Sequence, residues 1–279
     1  MQKDSVLGTV VVATLLCVVC SVLVSGAAVT LKDKQEANRI LDVKKNLLLA
    51  SGIIKQKSVS KEKIEEEFAK INSEVIDLAT GEVASQFDPE TFDQRKAARD
   101  PETSVKIPSD KDLADIKSRS KYAKVYKLMK DDQIDMYIFP VYGKGLWSTM
   151  YGFLAMEADL KTIKGIGFYQ HGETPGLGAE IENPKWQSQW VGKNAFGDDY
   201  DNVMFNVTKG SVNNNASGSE YQVDGLSGAT ITSNGVTYTI QYWLGKDGFG
   251  KYIENQVDSK SASEQVNNKE ELKKAAGEA

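Results

Sequence analysis

From residue 5 to residue 31 the chain carries no charged side chain, and its centre reads Val10-Val11-Val12-Ala13-Thr14-Leu15-Leu16-Cys17-Val18-Val19-Cys20-Ser21-Val22-Leu23-Val24. A helix needs about 20 apolar residues to cross the hydrocarbon core of a bilayer, so this stretch is long enough to span one. The competing reading is a cleaved export signal, for which Ser25-Gly26-Ala27-Ala28 supplies small residues at the end. The apolar run exceeds the roughly 7–15 residues of a signal core. Polar residues from Lys34 to Asn38, then Ile40, Val43 and Leu47, read as the same helix continuing into water. The expectation is a retained membrane anchor over residues 1–32. No other stretch is long and apolar enough to span, so the chain is not itself a channel.

Charge leaves the orientation open. Lys3 and the amino terminus precede the apolar run, while Lys32, Lys34, Arg39, Lys44 and Lys45 come after it. The positive-inside rule alone puts the large C-terminal remainder in the cytoplasm, although large domains translocate against a modest bias.

The rest of the 279-residue chain has ordinary globular composition, with 41% hydrophobic and 26% charged residues overall. That excludes wholesale disorder and a polytopic membrane protein. A net charge of −5 argues against a nucleic-acid partner held by bulk positive charge. His171 is the single histidine, which excludes a histidine-rich metal site. Cys17 and Cys20 both lie in the apolar run, so the remainder offers no disulfide framework, cysteine metal site or cysteine nucleophile.

The patterning predicts an α+β protein. Ile64, Phe68, Ile71, Val75 and Leu78 recur at steps of four and three, which predicts a helix over 61–78 with Ser60 as N-cap and Gly81 as its stop. Residues 86–118, with Pro89, Pro101 and Pro108, read as an irregular connection. A hairpin is expected from strands at 124–129 and 136–142 around Lys130-Asp131-Asp132, with further strands at 150–155, 163–169 and 203–207. A helix from Asn234, capped by Ser233, presents Val236, Ile240, Trp243 and Leu244 on one face and ends at Gly245 and Gly248. Residues 257–279 read as a polar tail, disordered or weakly helical. The expected division is an anchor at 1–32, a helical and irregular connecting region at 33–118 packed on the main domain, that main domain at 119–256, and the tail.

Three stretches concentrate chemistry. Gly143-Lys144-Gly145-Leu146-Trp147-Ser148 lacks the spacing of a phosphate-binding loop; its bland reading is a strand-to-strand turn with a buried Trp. His171-Gly172-Glu173-Thr174-Pro175-Gly176-Leu177-Gly178 is a tightly specified loop that presents His171, Glu173 and Thr174. His171 beside Glu173 suggests acid–base chemistry, but no nucleophile stands at a telling spacing. Asp224-Gly225-Leu226-Ser227-Gly228-Ala229-Thr230-Ile231-Thr232-Ser233 combines small residues and hydroxyls and runs into a helix. A helix N-terminus favours a phosphate there; the alternative is a capped junction that holds nothing. Asp198 to Asn202 does not match a calcium loop and reads as a solvated turn, and no metal site is expected.

At these motifs the chain resembles proteins with a covalent-FMN-binding domain. Gly-x-Gly-x-Trp-Ser at 143–148, His-x-Glu-Thr-Pro-Gly-Leu-Gly at 171–178, Ser-Gly-Ala-Thr at 227–230 and Tyr-Trp-Leu-Gly-Lys-Asp-Gly-Phe-Gly at 242–250 resemble the C subunit of the sodium-translocating NADH:quinone reductase over nearly the whole chain. The resemblance implies FMN joined through its phosphate to the Thr230 hydroxyl, attached by a separate flavin transferase with FAD as donor. Ser227, Gly228, Ala229 and Thr232 would surround the acceptor. Trp147, Thr174 and Leu177 would line the isoalloxazine, with Glu173 and Lys209 as polar neighbours. The resemblance further implies an electron-carrier subunit, not catalytic alone, working with the other subunits of a sodium-pumping complex in the bacterial inner membrane, its soluble domain on the periplasmic side. The G subunit of an Rnf-type ferredoxin:NAD complex, an anchored binding protein without flavin and an anchored hydrolase using His171 and Glu173 are the alternatives.

Overall fold

The computed structural model describes residues 6–55, 58–131 and 133–262. The chain divides into two compact units between Lys45 and Asn46. The first is taken up by α1 (Val6–Ala50), whose apolar side chains from Val6 to Leu31 are largely exposed. Among the described residues α1 is the one helix long and apolar enough to cross a membrane.

The second unit begins with the last turn of α1. Its further elements are α2 (Lys61–Phe68), β1 (Ile71–Asp77), α3 (Gln94–Ala97), β2 (Ser104–Lys106), β3 (Ser118–Ser120), β4 (Tyr122–Lys130), β5 (Gln133–Lys144), β6 (Thr149–Glu157), β7 (Ile163–Gln170), α4 (Pro184–Gln187), β8 (Asn206–Val207), β9 (Gln222–Val223) and α5 (Thr230–Leu244). Residues 250–262 are helical as well. Five strands form one antiparallel sheet in the order β1-β4-β5-β6-β7. The expected hairpin is β4–β5, turning at Asp131 in a left-handed conformation (φ 51°), with residue 132 outside the described residues. The strands expected at 150–155 and 163–169 are β6 and β7.

The helix expected over 61–78 is half right. Ser60 caps α2 as predicted, its side chain accepting from the Lys63 N–H. The chain leaves the helix at Ala69 and runs as β1, every residue of which pairs with β4, from Ile71 opposite Leu128 to Asp77 opposite Tyr122. The spacing misleads because Ile71 and Val75, four apart, share a face of a strand as readily as a face of a helix. Ile76, next to Val75 and also buried, lies on the other face of the strand. Asn72 and Ser73 are weak helix formers, so pairing with β4 decides the outcome. Gly81 closes the turn after β1, its N–H donating to the Asp77 carbonyl.

Other boundaries shift. Residues 86–118 are irregular apart from α3, β2 and the start of β3. The strand expected at 203–207 shrinks to β8, paired in parallel with β9. Gly245 caps the end of α5, and the chain re-enters a helix at 250, so residues 257–262 of the expected tail are helical; residues 263–279 lie outside the described residues.

Both faces of the sheet are buried. On one, Val125, Tyr137, Phe139, Val141, Leu154 and Met156 pack with Val236, Ile240 and Trp243 of α5 and with Phe249, Tyr252 and Ile253. Ring centroids of Phe139 and Phe249 lie 4.7 Å apart, as do those of Tyr142 and Trp243. The alternating residues Ile71, Val75, Tyr126, Met136, Ile138, Phe153 and Ala155 are buried on the opposite face. There Ala50, next to buried Leu47 and Leu48, lies directly on the backbone of Gly165 and Gly167, leaving no space for a side chain at either position. An antiparallel sheet commonly leaves one face to water; this one does not.

Candidate functional site

Three segments converge on the N-terminal end of α5: the β5–β6 connection at 145–148, the loop at 171–178 after β7, and the turn at 224–229. The helix starts earlier than the sequence suggests, at Thr230, and Ser233 is not its cap. The buried Ser233 hydroxyl instead accepts from the Leu226 N–H at 3.0 Å and ties the turn to the helix. A left-handed Gly228 (φ 70°) and an Ala229 N–H donating to the Leu226 carbonyl at 3.1 Å close that turn. Ala229 then falls at the N-cap position, where its methyl group cannot accept a hydrogen bond. The first-turn N–H groups of α5 therefore have no side-chain cap and remain a site for an anion.

The two threonines of this turn differ completely. Thr230 is exposed, whereas Thr232 is 1% exposed and its hydroxyl donates to Oε2 of Glu173 at 2.5 Å. Glu173 is itself buried. Its Oε2 also accepts the Leu146 N–H at 3.1 Å, and its Oε1 accepts the Trp147 N–H at 3.0 Å. Burial works against its charge. The Thr232 hydroxyl and the N–H groups of Trp147, Leu146 and Ser148 outweigh that and hold the carboxyl below the usual glutamate range. Gly145 and Gly178 allow this approach, since a Cβ on either would collide with the carboxylate.

Around the helix start lies an apolar rim. Trp147 is not the buried residue of the bland reading: it is 65% exposed, while Trp186, Trp190 and Trp243 are buried. Its indole N–H donates to the Thr174 hydroxyl at 3.1 Å. Leu177 packs over Gly228, and Leu146 and Ile231 are also exposed. Single exposed apolar residues are ordinary, but four around one polar helix end form a patch suited to a ligand. Ser227 and Gly228 are exposed and Ala229 is buried. Lys209 is exposed in the bend beside this turn, where the Gly225 N–H donates to the Gly210 carbonyl at 2.8 Å. Asp224 anchors the turn, accepting from the Val212 N–H at 2.7 Å and the Gln189 amide at 3.2 Å.

His171 is committed elsewhere. Its Nδ1 accepts the Glu173 N–H at 3.1 Å, so Nε2 carries the hydrogen, directed at Glu182 Oε1 2.8 Å away. The Glu173 carboxylate is spent on Thr232 and the 146–147 backbone. The two side chains do not pair, which removes the geometric basis of the acid–base alternative. Leu146, Ser148 and Ile231 were not singled out from the sequence. The Ser148 hydroxyl accepts from the Gly172 N–H at 2.6 Å and joins the two loops; Leu146 and Ile231 carry no signal of their own beyond being apolar residues inside these motifs.

Comparison with known proteins places this geometry. Residues 145–245, which span all three segments, match the FMN-binding domain family. The C subunit of the Na(+)-translocating NADH-quinone reductase of Pseudomonas aeruginosa is 44% identical over 91% of this chain and 97% of its own length, and that of Vibrio alginolyticus is 43% identical over 90% and 95%. Among solved structures, the corresponding subunit of Shewanella oneidensis superposes with a TM-score of 0.69 at 36% identity, covering 77% of this chain and 95% of that one. The subunit from Parabacteroides distasonis gives 0.61 at 28% identity, covering 80% and 96%.

Proposed function

Because this chain belongs to the family of the C subunit of the Na(+)-translocating NADH-quinone reductase, we propose that it is the FMN-carrying electron-transfer subunit of such a complex, with FMN esterified through its phosphate to Thr230. The observation that carries the reading is the exposed Thr230 hydroxyl in the uncapped first turn of α5, rimmed by Trp147, Leu177, Leu146 and Ile231.

The residues fit the group on three counts. A phosphodiester keeps one negative charge, which the open N–H groups and positive end of α5 stabilise. Gly228 keeps the backbone beside the acceptor free of side chains. The apolar rim offers a surface for a flat ring system, and the hydrogen bond from its indole to Thr174 fixes the edge of Trp147. FMN bound there supplies reversible electron uptake and release. The protein holds the tether, orients the ring surface and fixes the nearby charge. Thr230 is a modification acceptor and not a catalytic group.

Attachment requires a separate flavin transferase. With FAD as donor, the Thr230 oxygen takes the FMN phosphoryl group, the hydroxyl proton is lost and AMP leaves. We place α1 in the inner membrane, the other subunits of the complex around it, and the flavinylated domain on the periplasmic side.

The test is intact mass and in-gel flavin fluorescence of the denatured protein, with wild type and Thr230→Ala run side by side. Each is co-expressed with a transferase directed either to the periplasm or to the cytoplasm. The expected result is a gain of one FMN less one water in wild type, with the exported transferase only, and none in Thr230→Ala. A variant that still carries covalent flavin moves the acceptor to another hydroxyl. A wild type without flavin refutes the carrier role, and labelling by the cytoplasmic enzyme reverses the orientation.

A further inference from the structure

Glu173 ties two of the converging loops to the start of α5. It belongs to the 171–178 loop, accepts the N–H groups of Leu146 and Trp147 from the β5–β6 connection, and accepts the Thr232 hydroxyl from the first turn of α5. The two glycines facing it, Gly145 and Gly178, have no room for a Cβ because of its carboxylate. A buried carboxylate with this many donors is a fixed point and not a solvated charge.

We propose that Glu173 is a positioning residue for the flavin: it clamps the Trp147 loop to the first turn of α5, fixing the distance between the ring platform and the Thr230 tether, and places a permanent negative charge beside the cofactor. This deepens the FMN-carrier reading and rests on it. The geometry gives the clamp two separable parts. The hydrogen bonds to Leu146 and Trp147 hold the platform, and the bond to Thr232 holds the platform to the helix that bears the tether. The charge acts independently of both. A fixed anion disfavours the addition of an electron to a nearby group, so it lowers the flavin's reduction potential.

Glu173→Gln keeps the shape, removes the charge and, whichever way its amide turns, sets an N–H against one of the two backbone donors, Leu146 or Trp147. Attachment at Thr230 should persist, seen as in-gel fluorescence of the denatured protein. In the folded protein the midpoint potential should move upward, and native flavin emission should rise as the Trp147 indole loosens. Hydrogen exchange gives a readout without flavin. In a Thr230→Ala background, adding Glu173→Gln should cut the protection of the Leu146 and Trp147 amides by roughly tenfold or more, the loss expected for hydrogen bonds to a charged group. A folded, flavinylated Glu173→Gln with unchanged potential, native emission and amide protection overturns the proposal.

Should Glu173→Gln fail to fold, Thr232→Val tests the same link. It retains the charge, so the potential should stay near wild type while native emission changes; unchanged emission refutes the clamp. Absence of covalent flavin from wild type sinks the functional reading instead, and amide exchange in the flavin-free protein still tests the clamp alone.

Discussion

The two ends of α5 are built on opposite principles. Towards its C-terminal end Ile240, Trp243 and Leu244 are all at most 1% exposed, and the Trp243 indole donates to the Tyr142 carbonyl at 2.6 Å while its ring meets Tyr142, Tyr242 and Phe249. At the N-terminal end the cap position holds Ala229, whose side chain accepts no hydrogen bond, Thr230 and Ile231 face water, and the partners are loops. One end spends its surface on packing and is rigid because of it. The other leaves hydrogen-bonding capacity and apolar area unspent, which a structural helix avoids and a binding helix needs. A single helix thus links a fully buried end to an open one.

Three substitutions probe that contrast. Trp243→Ala should have the largest effect, a loss of about 3–5 kcal/mol in unfolding free energy from a fully buried aromatic. Denaturant unfolding of the detergent-solubilised chain measures it, and a loss under about 1 kcal/mol would mean that the C-terminal end of α5 does not hold the helix in the core. Glu173 should give an intermediate, pH-dependent effect. Its folded pKa lies below the ordinary glutamate value, so its contribution is fully present above that value and is lost as pH falls through the folded pKa. Stability should therefore decline in acid, and Glu173→Gln should flatten that decline; identical acid limbs for the two proteins would contradict the buried, charge-stabilised carboxylate. Trp147→Ala should have the smallest effect, within about 0.5 kcal/mol on unfolding, because an exposed ring contributes little to the fold. Its consequence should appear in native flavin emission, and a stability loss as large as that of Trp243→Ala would erase the distinction between the two ends.

Much of the fold was legible in the sequence, and the failures share a cause. The strands of the β4–β7 meander announce themselves by apolar and β-branched runs separated by turn residues. The core face of α5 follows from a spacing that only a helix satisfies. Residues 71–78 fail because steps of four suit both periods, and the choice rests on β4, some fifty residues away along the chain and beyond any local window. Ser233 fails in the same way: a hydroxyl before an apolar stripe looks like a cap, yet its partner is Leu226 in a turn defined by Gly228. At the site, the glycine and hydroxyl motifs identify the three segments that come together. The contact that binds them does not show, since the Glu173–Thr232 pair spans 59 positions. Nor could the sequence tell that Trp147 is exposed while the other three tryptophans are buried; exposure is a property of the assembled fold.

The seating of Ala50 on Gly165 and Gly167 bears on where the chain can be cut between its apolar N-terminal helix and the sheet domain. Residues 46–50 are the last turn of α1, yet Leu47, Leu48 and Ala50, with Ile54 just beyond, are core residues of the sheet domain. The effect of a protease cut is therefore graded by position. Cleavage ahead of residue 46 releases a unit with its second sheet face intact. Cleavage after Ser51 detaches the wedge, wets bare glycine backbone on β7 and opens the face that Tyr126, Ile138 and Phe153 occupy. A separated form of this domain must carry the last turn of α1.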